Sequence, residues 1–224
     1  MLYDLHTHTF LSDGELSPIE LIRRAIVAGY QAIAITDHVG VGHLERAIQE
    51  LTRDCTLARE HWGFLAVPGV ELTHVPASAI PKVARRAKEL GAQLVLVHGE
   101  TIVEPVEPGT NLAAINSQDV DILAHPGLLT LEEARLAAER AIFLEVSARR
   151  GHSLSNGHVV ALAHQTGAKL LLNSDAHGGS DLLSPAFARA IALGAGLQPE
   201  ELEEVLIRAP QRLLAVLGKP GAKT

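Results

Sequence analysis

Short apolar, β-branched runs alternate with longer helical patterns from one end of the chain to the other. That order is the signature of βα units around a mainly parallel sheet. Seven runs read as strands: Tyr3 to Leu5, Ala32 to Thr36, Phe64 to Val70, Leu94 to Val97, Ile122 to Ala124, Phe143 to Val146 and Leu170 to Asn173. Helix starts stand between them. Ser17 with Pro18 and Glu20 forms a capping box with proline at the first helical position, Thr130 with Glu133 forms another, and Ser184-Pro185 repeats the signal. Gly29, Gly91 and Gly167 follow helical stretches and suit left-handed C-terminal caps. No Ser/Gly-rich linker divides the chain, which reads as one barrel domain over residues 1–224, with two closing helices at about 199–217. The longest apparent loop runs from Gly99 to Thr110.

Composition narrows the chemistry. At 224 residues and 47% hydrophobic content the chain can bury a substantial core, consistent with a single domain. It has no apolar run long enough to cross a membrane and no basic-then-apolar leader at Met1-Leu2-Tyr3-Asp4, so a cytoplasmic protein with no membrane partner is expected. The single cysteine, Cys55, lies within a helical pattern and reads as a packing residue; it supports neither a disulfide framework nor a thiolate metal site. Any metal must therefore be held by His and carboxylates. A formal charge of −7 argues against a general nucleic-acid binder, because that affinity comes from clustered Lys and Arg. Bound dications would offset much of this charge and concentrate positive potential in one pocket.

Potential ligands recur at the strand ends. Asp4-Leu5-His6-Thr7-His8 continues the first strand, and side chains two apart on a strand share a face, so His6 and His8 converge. Asp37-His38, Glu71, His98, His125 and Asp175-Ala176-His177 follow the second, third, fourth, fifth and seventh strands. In a parallel barrel the C-terminal rim is where loops meet and catalytic residues gather. One histidine alone reads as a packing or surface residue; ligands at six strand ends read as a metal cluster. Imidazole and carboxylate without thiolate suit zinc, manganese or iron. Glu71 is the natural bridging carboxylate.

In this order, HTHTFLSDGELS, AITDH, PGVE, VHGE, LAHPG and NSDAH resemble the polymerase and histidinol phosphatase (PHP) superfamily of metal-dependent phosphoesterases, from Asp4 to His177. HGETIVEPVEPGTN and SARRGHSLSNGH look like its compact histidinol-phosphatase-like members. The resemblance implies a distorted seven-stranded, TIM-barrel-like β/α barrel with two to three divalent cations. It would place His6, His8, Glu71 and Asp175 on one cation, Asp13, His38 and His177 on a second, and Glu71, His98 and His125 on a third. Glu71, Asp175 and His177 are the expected catalytic residues.

The reaction expected is hydrolysis of a phosphomonoester on a small metabolite such as histidinol phosphate, with water attacking phosphorus in line. A nucleotide or oligonucleotide phosphoesterase or exonuclease is the alternative. An amidohydrolase-like barrel and a noncatalytic metal-binding module are further rivals, against which the bridging Glu71 and the filled ligand set argue. Arg149, Arg150 and His152 follow the sixth strand and are placed to grip a substrate phosphate, arginine through a bidentate fork. Asp4 and Asp37 could orient imidazoles or hold turns. Asn156 and His158 stand at a helix start that favours anions. His74 is either a proton donor or a surface residue, while His43, His61 and His164 read as structural or exposed.

Overall fold

The structure, a computed structural model, describes residues 1–217. Its elements run β1 (Leu2–Asp4), α1 (Pro18–Val27), β2 (Tyr30–Ile35), β3 (His38–Val39), α2 (Leu44–Trp62), β4 (Leu65–Leu72), α3 (Ile80–Glu89), β5 (Leu94–His98) and α4 (Thr110–Asn116). They continue β6 (Ile122–Ala124), α5 (Leu131–Glu139), β7 (Phe143–Ser147), α6 (Asn156–Thr166), β8 (Leu170–Asn173), α7 (Pro185–Gly194) and α8 (Ala209–Val216). Seven strands pair in parallel in the order β1-β2-β4-β5-β6-β7-β8 and make a nearly closed barrel. All seven runs read from the sequence are strands. The additional β3 pairs only with β4, setting His38 opposite Glu71. β4 and β5 run further than expected, so Glu71 and His98 lie within strands.

The barrel is incomplete between β1 and β8. The chain beyond β1 meets the chain beyond β8 in one isolated parallel bridge, Thr7 to Ala176, where the His8 N–H donates to the Ala176 carbonyl at 2.8 Å. Side chains finish the seam: the Leu5 N–H donates to Asn173 Oδ1 at 2.9 Å, and the Ser174 N–H to Asp4 Oδ1 at 3.1 Å.

Two apolar clusters follow from strand alternation. Leu5, Ala34, Val67, Leu94, Leu96, Ile122, Phe143 and Leu171 fill the lower interior. The alternate positions, including Ile33, Val70, Val95, Leu123, Leu144 and Leu172, pack outward on the helices. On α2, buried Leu44, Ala47, Ile48, Leu51, Cys55 and Ala58 recur three to four residues apart, the stripe of a helix laid on a sheet. Ser17, Thr130 and Ser184 cap their helices, but Glu20 pairs with Arg24 instead of closing a box with Ser17.

The C-terminal stretch read as two helices is one helical run. A 3₁₀ turn (Pro199–Glu201) leads into a wide π turn (Glu204–Arg208) and then α8. Pro210 has no N–H for the preceding turn and its ring crowds the carbonyl there, and widening relieves that conflict. Ala209 and Leu213 then plug the barrel bottom. No helix among the described residues is long and apolar enough to cross a membrane.

Candidate metal centre

Going up the inward-facing positions of several strands, apolar side chains give way to polar and ionisable ones. Val67 and Gly69 lead to Glu71, Leu94 and Leu96 to His98, Phe143 to Glu145, and Leu171 to Asn173. The period of two therefore stacks polar groups on an apolar floor at the C-terminal mouth.

Ligating atoms there fall into four overlapping groups, in each of which all lie within 4.8 Å: His8, Asp13, His38 and His177; His6, His8 and Asp175; His6, Glu71 and His125; and His98, His125 and His152. All nine residues expected as ligands are present. Three features differ from the expected partition: His8 reaches both the first and the second group, Glu71 groups with His6 and His125 but not with His98, and His152, expected on a substrate phosphate, sits buried against His98 and His125. Glu71 is central. Its Oε2 lies 3.3 Å from His6 Nε2, 3.6 Å from His8 Nε2 and 2.6 Å from His38 Nδ1, and its Oε1 lies 3.4 Å from His125 Nε2. Asp175 Oδ1 is 3.2 Å from His8 Nε2. Asp13, more exposed, has Oδ1 at 3.2 Å from His177 Nε2 and 3.6 Å from His38 Nε2.

The far ring nitrogens are held from behind. His6 Nδ1–H donates to Glu145 Oε2 at 2.7 Å, His98 Nδ1–H to the Gly99 carbonyl at 3.2 Å and His177 Nδ1–H to the Asp175 carbonyl at 3.0 Å. A donor at Nδ1 leaves the Nε2 lone pair facing the cluster, the arrangement that metal-binding imidazoles use. His6 Nε2, both ring nitrogens of His8 and both oxygens of Glu71 are buried without a hydrogen-bond partner. Orphaned buried acceptors are costly, and so many converging on one volume fit cations of the kind imidazole and carboxylate bind.

The protein charges are strongly perturbed. Burial lowers His6, but Glu145, Glu71 and Asp175 overcome it and hold the ring well above its usual range. Burial, with His38 and His6 nearby, pushes His8 well below. Burial raises Glu71, which the nearby His6 and His38 more than reverse. Burial pushes Asp175 up. Backbone strain collects here too: His125 (φ +25°) and Asp175 (φ +53°) are non-glycine residues in the left-handed region, each just past its strand.

Sequence reasoning missed Glu145. It is fully buried, pairs with His6 and accepts from Asn173 Nδ2 at 2.9 Å. The available signal was a carboxylate two residues after Phe143, on the interior face of an otherwise apolar strand. Asp4 and Asp37 hold backbone rather than imidazoles. Asp37 accepts from Thr9 N and Thr9 Oγ1 at 2.7 Å and from Ser12 Oγ at 2.6 Å, fixing the turn that presents Asp13. Burial raises Asp4 to about 7. Asn156 is spent as a backbone clamp, bonding both the N–H and the carbonyl of Ser147, and His158 bonds the Leu129 carbonyl; neither forms an anion site. Arg149 reaches the Asp175 carbonyl at 3.5 Å and Asp181 at 3.9 Å, whereas Arg150 is exposed. His74 stands at φ +51° with Nε2 at 3.5 Å from Glu104.

A parallel barrel carrying a buried His and carboxylate cluster at its C-terminal mouth defines the class of protein. The profile of the PHP domain matches residues 4–97. An uncharacterized protein of Methanocaldococcus jannaschii is 48% identical over 96% of this chain and 99% of its own length. Ribonuclease P protein component 3 of Methanosarcina barkeri is 26% identical over 98% of this chain and 90% of its own. Among solved structures, histidinol phosphate phosphatase of Lactococcus lactis, complexed with zinc, L-histidinol and phosphate, shares the fold with a TM-score of 0.62 and 17% identity, covering 88% of this chain and 94% of that one. The match to the PHP domain is thus carried by residues 4–97, and the likeness to the M. jannaschii protein runs along nearly the whole chain.

Proposed function

We propose that this protein is a metal-dependent phosphoesterase, most simply a phosphomonoesterase acting on a small phosphorylated metabolite. The observation that carries the reading is the set of orphaned buried nitrogens and oxygens of His6, His8 and Glu71 at the barrel mouth. His6, His8, Glu71 and Asp175 would hold one cation, Asp13, His38 and His177 a second, and Glu71, His98 and His125 a third. Zinc, manganese or iron bound there supplies a water acidified to near-neutral pKa and a Lewis acid for phosphoryl oxygens.

The chain's own residues do the positioning. Glu145 sets the His6 tautomer, and Asp37 sets the turn bearing Asp13. Arg149, half-buried and within 3.5 Å of the Asp175 carbonyl, would pair with a phosphate dianion, and exposed Arg150 would contribute at longer range. The L. lactis relative acts on histidinol phosphate, which makes that compound the first substrate to try. The likeness to a ribonuclease P component along nearly the whole chain supports a second reading, a phosphoesterase of nucleotides or RNA.

The test is metal removal by chelation and reconstitution, with hydrolysis of an aryl phosphate compared with that of a bis-aryl diester. About two to three equivalents of divalent metal should bind, and monoester turnover should vanish on chelation and return with metal. Faster diester turnover would favour the nucleic-acid reading. Protein that takes up only trace zinc, manganese or iron would sink the proposal.

A further inference from the structure

We infer that His152 and Glu104 are also ligands of the cation held by His98 and His125, so that this end of the cluster is a three-imidazole site closed by a carboxylate from the long loop. The inference rests on the metal-cluster reading above and assigns two residues that the strand-end motifs leave out.

Three observations carry it. First, His152 is buried and not on the outer rim. Its ring stacks on His125 at 4.0 Å and 14° and stands nearly perpendicular to His98 at 5.7 Å, and the three rings offer nitrogens within 4.8 Å of one another. Second, His152 is held as the other ligating imidazoles are. Its Nδ1 lies 2.7 Å from the Oγ1 of buried Thr101. With Nδ1 as the donor, the Nε2 lone pair faces inward, as it does for His98. Third, both Nε2 atoms face one carboxylate: Glu104 Oε2 is 3.2 Å from His98, and Glu104 Oε1 is 3.5 Å from His152.

The loop that carries Glu104 is fastened at both ends. Glu100 accepts from the N–H groups of Gly109 at 3.0 Å and Asn111 at 2.9 Å, and Asn111 Oδ1 accepts from the Glu100 N–H at 3.0 Å. Glu107 accepts from the Ala77 N–H at 3.0 Å. Glu104 is thus presented to the rings by a built loop, and a cation bound there would tie residues 99–110 to the barrel. With the bridging Glu71, three imidazoles and two carboxylates would form a five-donor set, a coordination number to which zinc expands.

Metal-free wild type, His152→Ala, Glu104→Gln and Thr101→Val would be titrated with Co(II), following stoichiometry by elemental analysis, ligand-field absorption, and hydrogen exchange of residues 99–110. Wild type should take up its full complement and protect the loop. His152→Ala should lose one equivalent selectively, and Glu104→Gln should weaken that same equivalent and leave the loop unprotected. Thr101→Val, which keeps shape and removes only the hydrogen bond behind His152, should weaken it by on the order of 10-fold or more, and it carries the test if His152→Ala unfolds. Full stoichiometry at wild-type affinity in all three variants would overturn the inference and leave the metal-cluster reading standing. His152→Ala that keeps its metal but raises KM for an aryl phosphate would return His152 to a phosphate-binding role. Wild type that binds no metal would bring down both.

Discussion

Glu145→Gln separates orientation of a ligand from support of the fold. The carboxylate is fully buried, with one oxygen accepting from His6 Nδ1–H at 2.7 Å and from Asn173 Nδ2 at 2.9 Å, and the other oxygen unpartnered. Gln keeps the shape and can keep one oxygen on both donors, but it removes the charge. A hydrogen bond to a charged group contributes about 1.5–3 kcal/mol and a neutral one about 0.5–1.5, so roughly 1–1.5 kcal/mol of the support behind His6 is lost. That corresponds to about a 5- to 10-fold weakening of the cation on His6, at the lower edge of what outer partners of ligating histidines usually contribute. Glu145→Ala goes further. It strands two buried donors at about 1–3 kcal/mol each, so the metal-free fold should lose about 2–6 kcal/mol. Chelator competition reads the affinity, and urea unfolding of the metal-free protein reads the fold. Gln variant protein with wild-type metal affinity would refute the claim that Glu145 orients His6.

Two further outcomes follow from geometry. Gly127 sits at φ +65°, and a Cβ there would stand within van der Waals overlap of the Glu100 carbonyl, which is backbone and cannot swing away; Gly127→Ala should cost about 3 kcal/mol or more in urea unfolding, and a loss under about 1 kcal/mol would show that the loop yields freely. Cys55 is buried on α2, and burial pushes its thiol up to about 12, so a thiol-disulfide reagent at pH 8 should leave the native protein unlabelled and label one equivalent after denaturation; rapid native labelling would contradict the packing described.

The barrel order and eight of the nine residues that meet at the mouth were legible because both obey local rules, whereas Asp13, in the loop after β1, came only from the family resemblance. Strands and helices alternate in the chain, and ligands sit at strand ends where loops converge. What escaped depends on contacts between distant segments. Glu145 was passed over because its partner, His6, lies 139 positions away in sequence, and only the folded barrel brings carboxylate and imidazole together. His152 was read as a rim residue because position after a strand does not say whether the following 3₁₀ turn folds inward, and here Thr101 from another loop draws it in. Asn156 was read as an anion site because its helix start is visible locally, whereas its clamp on Ser147 is not. The unbroken C-terminal helical run escaped for a different reason: Pro210 predicts a stop, and the chain instead widens its turn.

The seam between β1 and β8 gives the centre an order of assembly. His6 and His8 follow β1 while Asp175 and His177 follow β8, and among the described residues one isolated backbone bridge and a few further hydrogen bonds join the two edges. In the order of synthesis these two imidazoles precede Asp175 and cannot pair with it until β8 has been made. A cation held jointly by His6, His8 and Asp175 would therefore be captured only after β8 has formed. Such a cation would act as a clasp across the weakest join of the barrel, linking His6 to Asp175, which follow its two open edges.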